Sequence, residues 1–229
     1  MLGGSRTIAR WSWLGLMTAL PSLVQASQEI LVDEVVAMVN RQAITRSEVW
    51  QEAVLLTMQR PGGFTHRVEV SPETFGETLE MLINQRVLLD EAQRLGLPPV
   101  TDQEKEDLLQ GFRKRFPDTE RYTQFLLEHD LNEDIVAEVM VRHWRVEVLR
   151  DKKLRTVSDI REEAIRTYYI ANRRKLANAS YRLVREAIRL KLLTQEREKM
   201  LAGWLLDLLK RSDIKVLIEK TPSPAVPSR

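Results

Sequence analysis

Residues 35–49 read VVAMVNRQAITRSEV, which packs an apolar run, a polar turn, a second extended run and a helix start into one short stretch. Val35 to Val39 favour a strand half-buried on a packed surface, Asn40, Arg41 and Gln42 make a turn, and Ala43 and Ile44 restart extended structure. Thr45 followed three residues later by Glu48 is a capping-box pattern: the Thr hydroxyl accepts from the Glu48 N–H, and the Glu side chain reaches back to the Thr45 N–H. A lone hairpin is marginal in water, and three strands do far better. The natural third strand is IKVLIE, residues 214–219, at the other end of the chain. Everything between is then an excursion that leaves a small sheet and returns to it, so the first and last segments hold one domain closed.

That excursion is helical. Residues 46–58 form a helix with Val49, Ala53 and Leu56 on one face, ended by the Pro-Gly-Gly of residues 61–63. Ser71 before Pro72 is a strong helix start, and Gly96 followed by Pro98 and Pro99 is a strong stop, with Leu97 folding back in a Schellman arrangement. Between them Phe75, Leu79, Leu82, Ile83, Val87, Leu89 and Ala92 make a wide apolar stripe. Thr101 with Glu104 opens a helix to about Phe116, Asp118 a shorter one to Glu128, and Asn132 a longer one carrying Ile135, Val139, Met140, His143, Val146 and Leu149. After a boundary at Lys152 to Arg155, Ser158 restarts a helix with Asp159, Glu162 and Glu163 in its first turn. Residues 181–211 follow as one long pattern with a single glycine, Gly203, and an apolar face of Leu190, Leu193, Met200, Leu201, Trp204, Leu205 and Leu208. The fold class is mostly α, with a small sheet of N-terminal strands and a C-terminal strand.

Ahead of this lie Arg6 and Arg10, an apolar stretch from Trp11 to Leu20, Pro21, and the small-residue site Val24-Gln25-Ala26. These are the three parts of a secretory signal peptide over residues 1–26, cleaved between Ala26 and Ser27. The stretch is about half the roughly 20 apolar residues a membrane span needs, so no stable membrane anchor is expected. The chain has no cysteine, which leaves the core to packing alone and suits an oxidising compartment.

Without residues 1–26 the chain is formally neutral, with 33 basic and 33 acidic residues, which argues against a nucleic-acid partner. Residues 27–140 hold 11 basic and 22 acidic side chains, whereas residues 141–215 hold 20 basic and 10 acidic. Such halves either attract one another within one folded unit or form two solvated faces of unequal charge. Residues 220–229, with Pro222, Pro224 and Pro227, read as a disordered tail.

Four stretches, VDEVVAMVNRQAITRSEV, LINQRVLLDEAQRLGLPPVTDQEKEDLLQGFRKRF, FLLEHDLNEDIVAEVMVRHWRVEVLRDKKL and VSDIREEAIRTYYIANRRKL, resemble the N-terminal domain of the SurA-like periplasmic chaperones over roughly residues 32–175. The most specific pieces are the V-N-x-x-x-I-T-x-S-E run and the L-G-L stretch leading into T-D-x-E. The resemblance implies binding of unfolded outer-membrane proteins, and a C-terminal helix and strand that return to complete the N-terminal domain. It divides the exported chain into a helical domain over 27–156 and returning elements over 157–219. Family members usually carry a parvulin prolyl-isomerase domain before the returning helix. Here the space between Tyr169 and that helix is too short for one, and its His-Ile-Leu, Gly-Asp-Leu-Gly and Phe-Gly-x-His-Ile runs are not found. Prolyl isomerisation is therefore not expected.

Chemistry has few footholds. His66, His129 and His143 have no metal-binding spacing with another His or Cys, and His143 with Glu147 supplies two ligands where a metal needs three or four. Neither a glycine-rich phosphate loop nor a Gly-x-Ser-x-Gly elbow occurs. No catalytic residue, metal or cofactor is expected. A chaperone instead needs adaptable apolar surface bordered by polar groups. Met58 and Phe64 beside the first loop, Trp144 off the main stripe of its helix, and Tyr168, Tyr169 and Tyr181 are the client-binding candidates. The alternative is an assembly module that binds one folded partner, or a second copy, through the long helix 181–211.

Overall fold

The computed structural model describes residues 33–58 and 69–218. Strand β1 (Val35–Val39) is central, with β2 (Gln42–Thr45) antiparallel on one side and β3 (Ile214–Val216) antiparallel on the other. Val39 faces Gln42 across one ladder and Ile214 across the other. Asn40 turns the hairpin with φ 55°, a left-handed conformation that asparagine tolerates better than most residues. Its amide also ties three segments together. Nδ2 donates to Asp90 at 2.5 Å, Oδ1 accepts from the Asp213 N–H at 3.0 Å, and the Asn40 N–H donates to the Asp213 carbonyl at 2.7 Å. The third strand is shorter than the 214–219 expected: beyond Val216 only the Leu217 N–H, bonded to the Val36 carbonyl at 2.9 Å, continues the pairing, and Glu219 lies outside the described residues.

Seven helices stand between the strands among the described residues: α1 (Arg46–Thr57), α2 (Pro72–Arg94), α3 (Asp102–Arg113), α4 (Thr119–Glu128), α5 (Glu133–Leu154), α6 (Glu162–Asn172) and α7 (Tyr181–Arg211). Their starts follow the cap chemistry. Ser71, Thr101, Asp118 and Asn132 each accept the N–H three residues on, and Pro72 fills the first turn of α2. Gly96, at φ 65°, ends α2, and the Leu97 N–H returns to the Ala92 carbonyl at 3.0 Å while its side chain packs on the core.

Two starts differ from the expectation. Thr45 caps α1 at 3.3 Å, but the Glu48 carboxylate does not return to Thr45; it pairs with Arg86 of α2, with Arg142 of α5 also 3.6 Å away. Helix α6 begins at Glu162 rather than after Ser158, because Asp159 takes the Ile160 N–H at 2.8 Å and Arg189 at 2.8 Å. This local side-chain bond competes with helix for residues 158–161.

Two apolar clusters form among the described residues. The first joins the sheet (Val36, Val39, Ile44), α2 (Phe75, Leu79, Leu82, Val87), Leu149 of α5 and Leu208 of α7, with Trp204, Leu205 and Ile214 against it. The second joins Val54, Leu55 and Met58 to Leu109, Phe112 and Phe116, to Tyr122 and Phe125, and to Val136, Val139 and Met140. Helices α1 and α5 serve both clusters, so α1 buries Val54 and Leu55 as well as Val49 and Ala53 and has no single apolar stripe.

Candidate functional site

Where the clusters meet, a group of charges is buried. Glu52 of α1 is 0% exposed; its Oε2 accepts from Arg142 at 3.1 Å and its Oε1 pairs with His143 Nε2. With the adjoining Glu48–Arg86 pair, this fixes α1 to α2 and α5. A fully buried carboxylate is tolerable only with such partners, so the group acts as a structural clamp. It also corrects the reading of His143: the imidazole turns inward to Glu52, while Glu147 is exposed and pairs with Arg150 at 2.9 Å. Among the described residues no His, Cys, Asp and Glu side chains group in a way that could hold a metal ion. His129 is buried against Trp50 and Phe125, and His66 lies outside the described residues.

The candidate apolar residues scatter. Met58 is 4% exposed inside the second cluster, Trp144 is half-buried on α5, and Phe64 lies outside the described residues, as do Ala26 and Ser27. Tyr168, Tyr169 and Tyr181 come together, half-buried, in a hairpin made by α6 and the first half of α7. The rings of Tyr169 and Tyr181 meet edge to face at 5.3 Å, Tyr169 OH donates to the Ala179 carbonyl at 2.9 Å, and Tyr181 OH donates to Glu162 at 2.5 Å. Lys191 sits 5.4 Å from the Tyr168 ring centre and Arg166 5.5 Å from that of Tyr181. Arg185, bonded to Glu162 at 2.7 Å, and then the Tyr181 hydroxyl hold the Glu162 carboxyl down at about 2. These tyrosines fasten the hairpin.

What the hairpin leaves exposed is different. Leu183 and Leu201 are 18 residues apart, about five helical turns, so they lie on one line along α7. Around that line the last third of α7 buries Leu208 and packs Trp204 and Leu205 against the first cluster. Along the same line the first half carries Leu183, Ala187 and Leu190, and there Leu183 is 79% and Leu190 51% exposed. Helix α6 occupies a different side, since the buried Ile188 stands about 140° round the helix from Leu183.

The stripe has a definite setting. Lys153 lies 5.4 Å from the Trp204 ring centre, and Leu154 and Arg155 share a shallow recess with Arg197. Helix α7 thus runs antiparallel to α5, and its first half leaves the body past the C-terminal end of α5. Arg197, about 40° from the Leu183 line, places the recess at the foot of the stripe. Leu190 was legible as part of the apolar face; Leu183 was missed, although its five-turn interval to Leu201 was the available signal.

A three-stranded clasp thus holds a helical body with two apolar clusters, and the first half of α7 carries exposed leucines. A family model described as SurA-like N-terminal domain matches residues 7–148, and the chain belongs to that family. The Chaperone SurA of Cupriavidus metallidurans (strain ATCC 43123 / DSM 2839 / NBRC 102507 / CH34) is 36% identical over 95 residues, which are 42% of this chain and 19% of that one. The match thus spans about a fifth of that relative, and α6, α7 and β3 lie beyond the stretch the family model covers.

Proposed function

We propose that the protein is a holdase-type chaperone of the periplasm that binds extended apolar segments of unfolded polypeptides, outer-membrane protein precursors among them, without prolyl-isomerase catalysis. The observation that carries this reading is the α7 stripe: a helix face that is core at one end and exposed leucine at the other. Burying one leucine contributes roughly 1.5–3 kcal/mol, so two leucines and their neighbours give the reversible capture a holdase needs. The flanking cations keep the surface soluble.

Family membership and the relative's name, Chaperone SurA, support the chaperone reading. Export rests on the charged, apolar and small-residue pattern of residues 1–26. No helix among the described residues is long and apolar enough to cross a membrane. Residues 173–180 alone join α6 to α7, which supports binding without an inserted catalytic domain.

The test is suppression of aggregation of an unfolded outer-membrane β-barrel protein by the purified protein, beside the variant Leu183→Asp/Leu190→Asp. A prolyl-isomerisation assay is run on the same samples. The reading expects suppression by the parent, its loss in the variant with an unchanged circular-dichroism spectrum, and no isomerase turnover. Equal suppression by both proteins would remove the stripe from the binding surface.

A further inference from the structure

The charge asymmetry of the sequence acquires a shape in the structure. Residues 101–140, which form α3, α4 and the start of α5, carry eleven acidic and five basic side chains. Residues 161–197, the α6–α7 hairpin, carry ten basic and four acidic. The two net charges are equal and opposite. Most of these groups face solvent: Asp102, Asp107, Glu120, Glu128, Asp134 and Glu138 are exposed on the acidic lobe, and Arg161, Arg173, Arg174, Lys175, Arg182 and Arg197 on the basic arm.

The chain cannot close this pair upon itself. Helix α5, about 33 Å long, separates the two regions, with the lobe packed round its first half. The arm leaves past its other end. That span is about three times the Debye length at 0.1 M salt. The ion pairs seen do not join the two regions: Arg113 pairs with Glu106 and Glu133 in the lobe, Arg185 with Glu162 in the arm, and Arg189 of the arm with Asp159 just ahead of α6. Each region also exposes a large apolar side chain, Leu127 (75%) on α4 and Ile170 (75%) on α6.

We infer that the protein self-associates, the basic α6–α7 arm of one copy docking on the acidic α3–α4 lobe of a second. If both copies offer both surfaces, the two contacts are equivalent under a two-fold axis, and the dimer closes without leaving a free arm or lobe. Opposed net charges on separated, exposed surfaces steer such an encounter and fix its orientation, while Leu127 and Ile170 supply apolar contact.

Sedimentation velocity of the full protein across a concentration series, at about 0.1 M and about 1 M salt, tests this, because the Debye length falls from about 10 Å to about 3 Å between them. The expected result is a concentration-dependent dimer at the lower salt and a monomer at the higher. Two variants, each reversing two charges, sharpen it: Glu128→Lys/Glu138→Lys takes the lobe from a net −6 to −2, and Arg174→Glu/Arg182→Glu takes the arm from +6 to +2. All four positions are exposed, so folding, checked by circular dichroism, is retained. Each reversal alone weakens association by roughly tenfold or more. A one-to-one mixture restores part of it, since in a mixed dimer the unaltered lobe of one variant meets the unaltered arm of the other, whereas each variant alone sets an altered surface against an unaltered one at both contacts. A parent that stays monomeric at the lower salt overturns the inference, and so does a dimer that survives both reversals, or a mixture that does not reassociate. A monomer that binds polyglutamate through its arm also overturns it, because the arm would then serve an acidic partner other than a second copy.

Discussion

The two ends of α7 share one apolar face and differ in what covers it. At the C-terminal end Leu208 is 5% exposed within a cluster built from the sheet, α2 and α5. At the N-terminal end Leu183, five turns from Leu201 on the same line, is 79% exposed, and fastening falls to tyrosine hydroxyls and arginine–carboxylate pairs around α6. The body is therefore held by burial and the arm largely by polar contacts. The difference separates a part that must stay folded from a part free to change partners.

The body's clamp predicts the largest effect. Glu52→Ala removes the buried carboxylate that Arg142 and His143 share and leaves the Arg142 guanidinium with no partner on α1 but Glu48. Breaking a buried ionic group from one side costs about 3–5 kcal/mol. Thermal unfolding should shift strongly and involve both clusters at once, since α1 and α5 serve both. A shift no larger than that of a surface substitution would show that the clamp bears no such load.

A substitution on each end of α7 comes next. Leu208→Ala should cost about 2–4 kcal/mol, as a leucine truncated in a packed core does. Leu190→Ala, half exposed on the same helix face, should stay within about 0.5 kcal/mol. Denaturant midpoints measure both. Similar losses for the two would mean that the arm's stripe is packed in solution, and the proposed binding surface would fall with that result.

The clasp gives an intermediate effect. Asn40→Ala deletes the side-chain bonds to Asp90 and to the Asp213 N–H, and puts alanine at φ 55°. A loss of about 1–3 kcal/mol is expected, read as faster hydrogen exchange at Leu217, whose N–H pairs with Val36. Unchanged exchange there would separate the turn from the third strand.

How much of this the sequence held follows the range of the forces involved. Helix starts at Ser71, Thr101, Asp118 and Asn132 were readable because a cap is made within three residues. The return of Ile214 to β1 was readable because a hairpin demands a third strand. Glu48 and Asp159 were misread because arginines 38, 94 and 30 positions away in the chain, Arg86, Arg142 and Arg189, compete for their carboxylates. The client-binding candidates show the same limit. Nothing near Met58 or Tyr181 in sequence reveals that one enters a cluster with α3 to α5 and the other bonds Glu162. Leu183 escaped because its half of α7 holds Arg182 and Arg185 beside it, and exposure is decided by where α6 lies.

The smallest effect expected belongs to the arm's electrostatics. Arg185 and then Tyr181 hold Glu162 at about 2 against an ordinary 4.5; the Ile160 N–H and then Arg189 lower Asp159, and Arg189 lowers Glu186. A carboxylate depressed on folding contributes stability that is full above its ordinary value and is lost as pH falls through its folded value. For Glu162 the window runs from 4.5 down to about 2. The arm should therefore loosen across that range. Exposed pairs contribute little each, so the change is modest. Hydrogen exchange of α6 amides at about pH 5 and about pH 3, corrected for intrinsic rate and compared with α2, measures it. Glu162→Gln should loosen α6 already at neutral pH and flatten its response to acid. If α6 and α2 respond to acid in parallel, the arm is not an independently held region, and the contrast between the two ends of α7 rests on exposure alone.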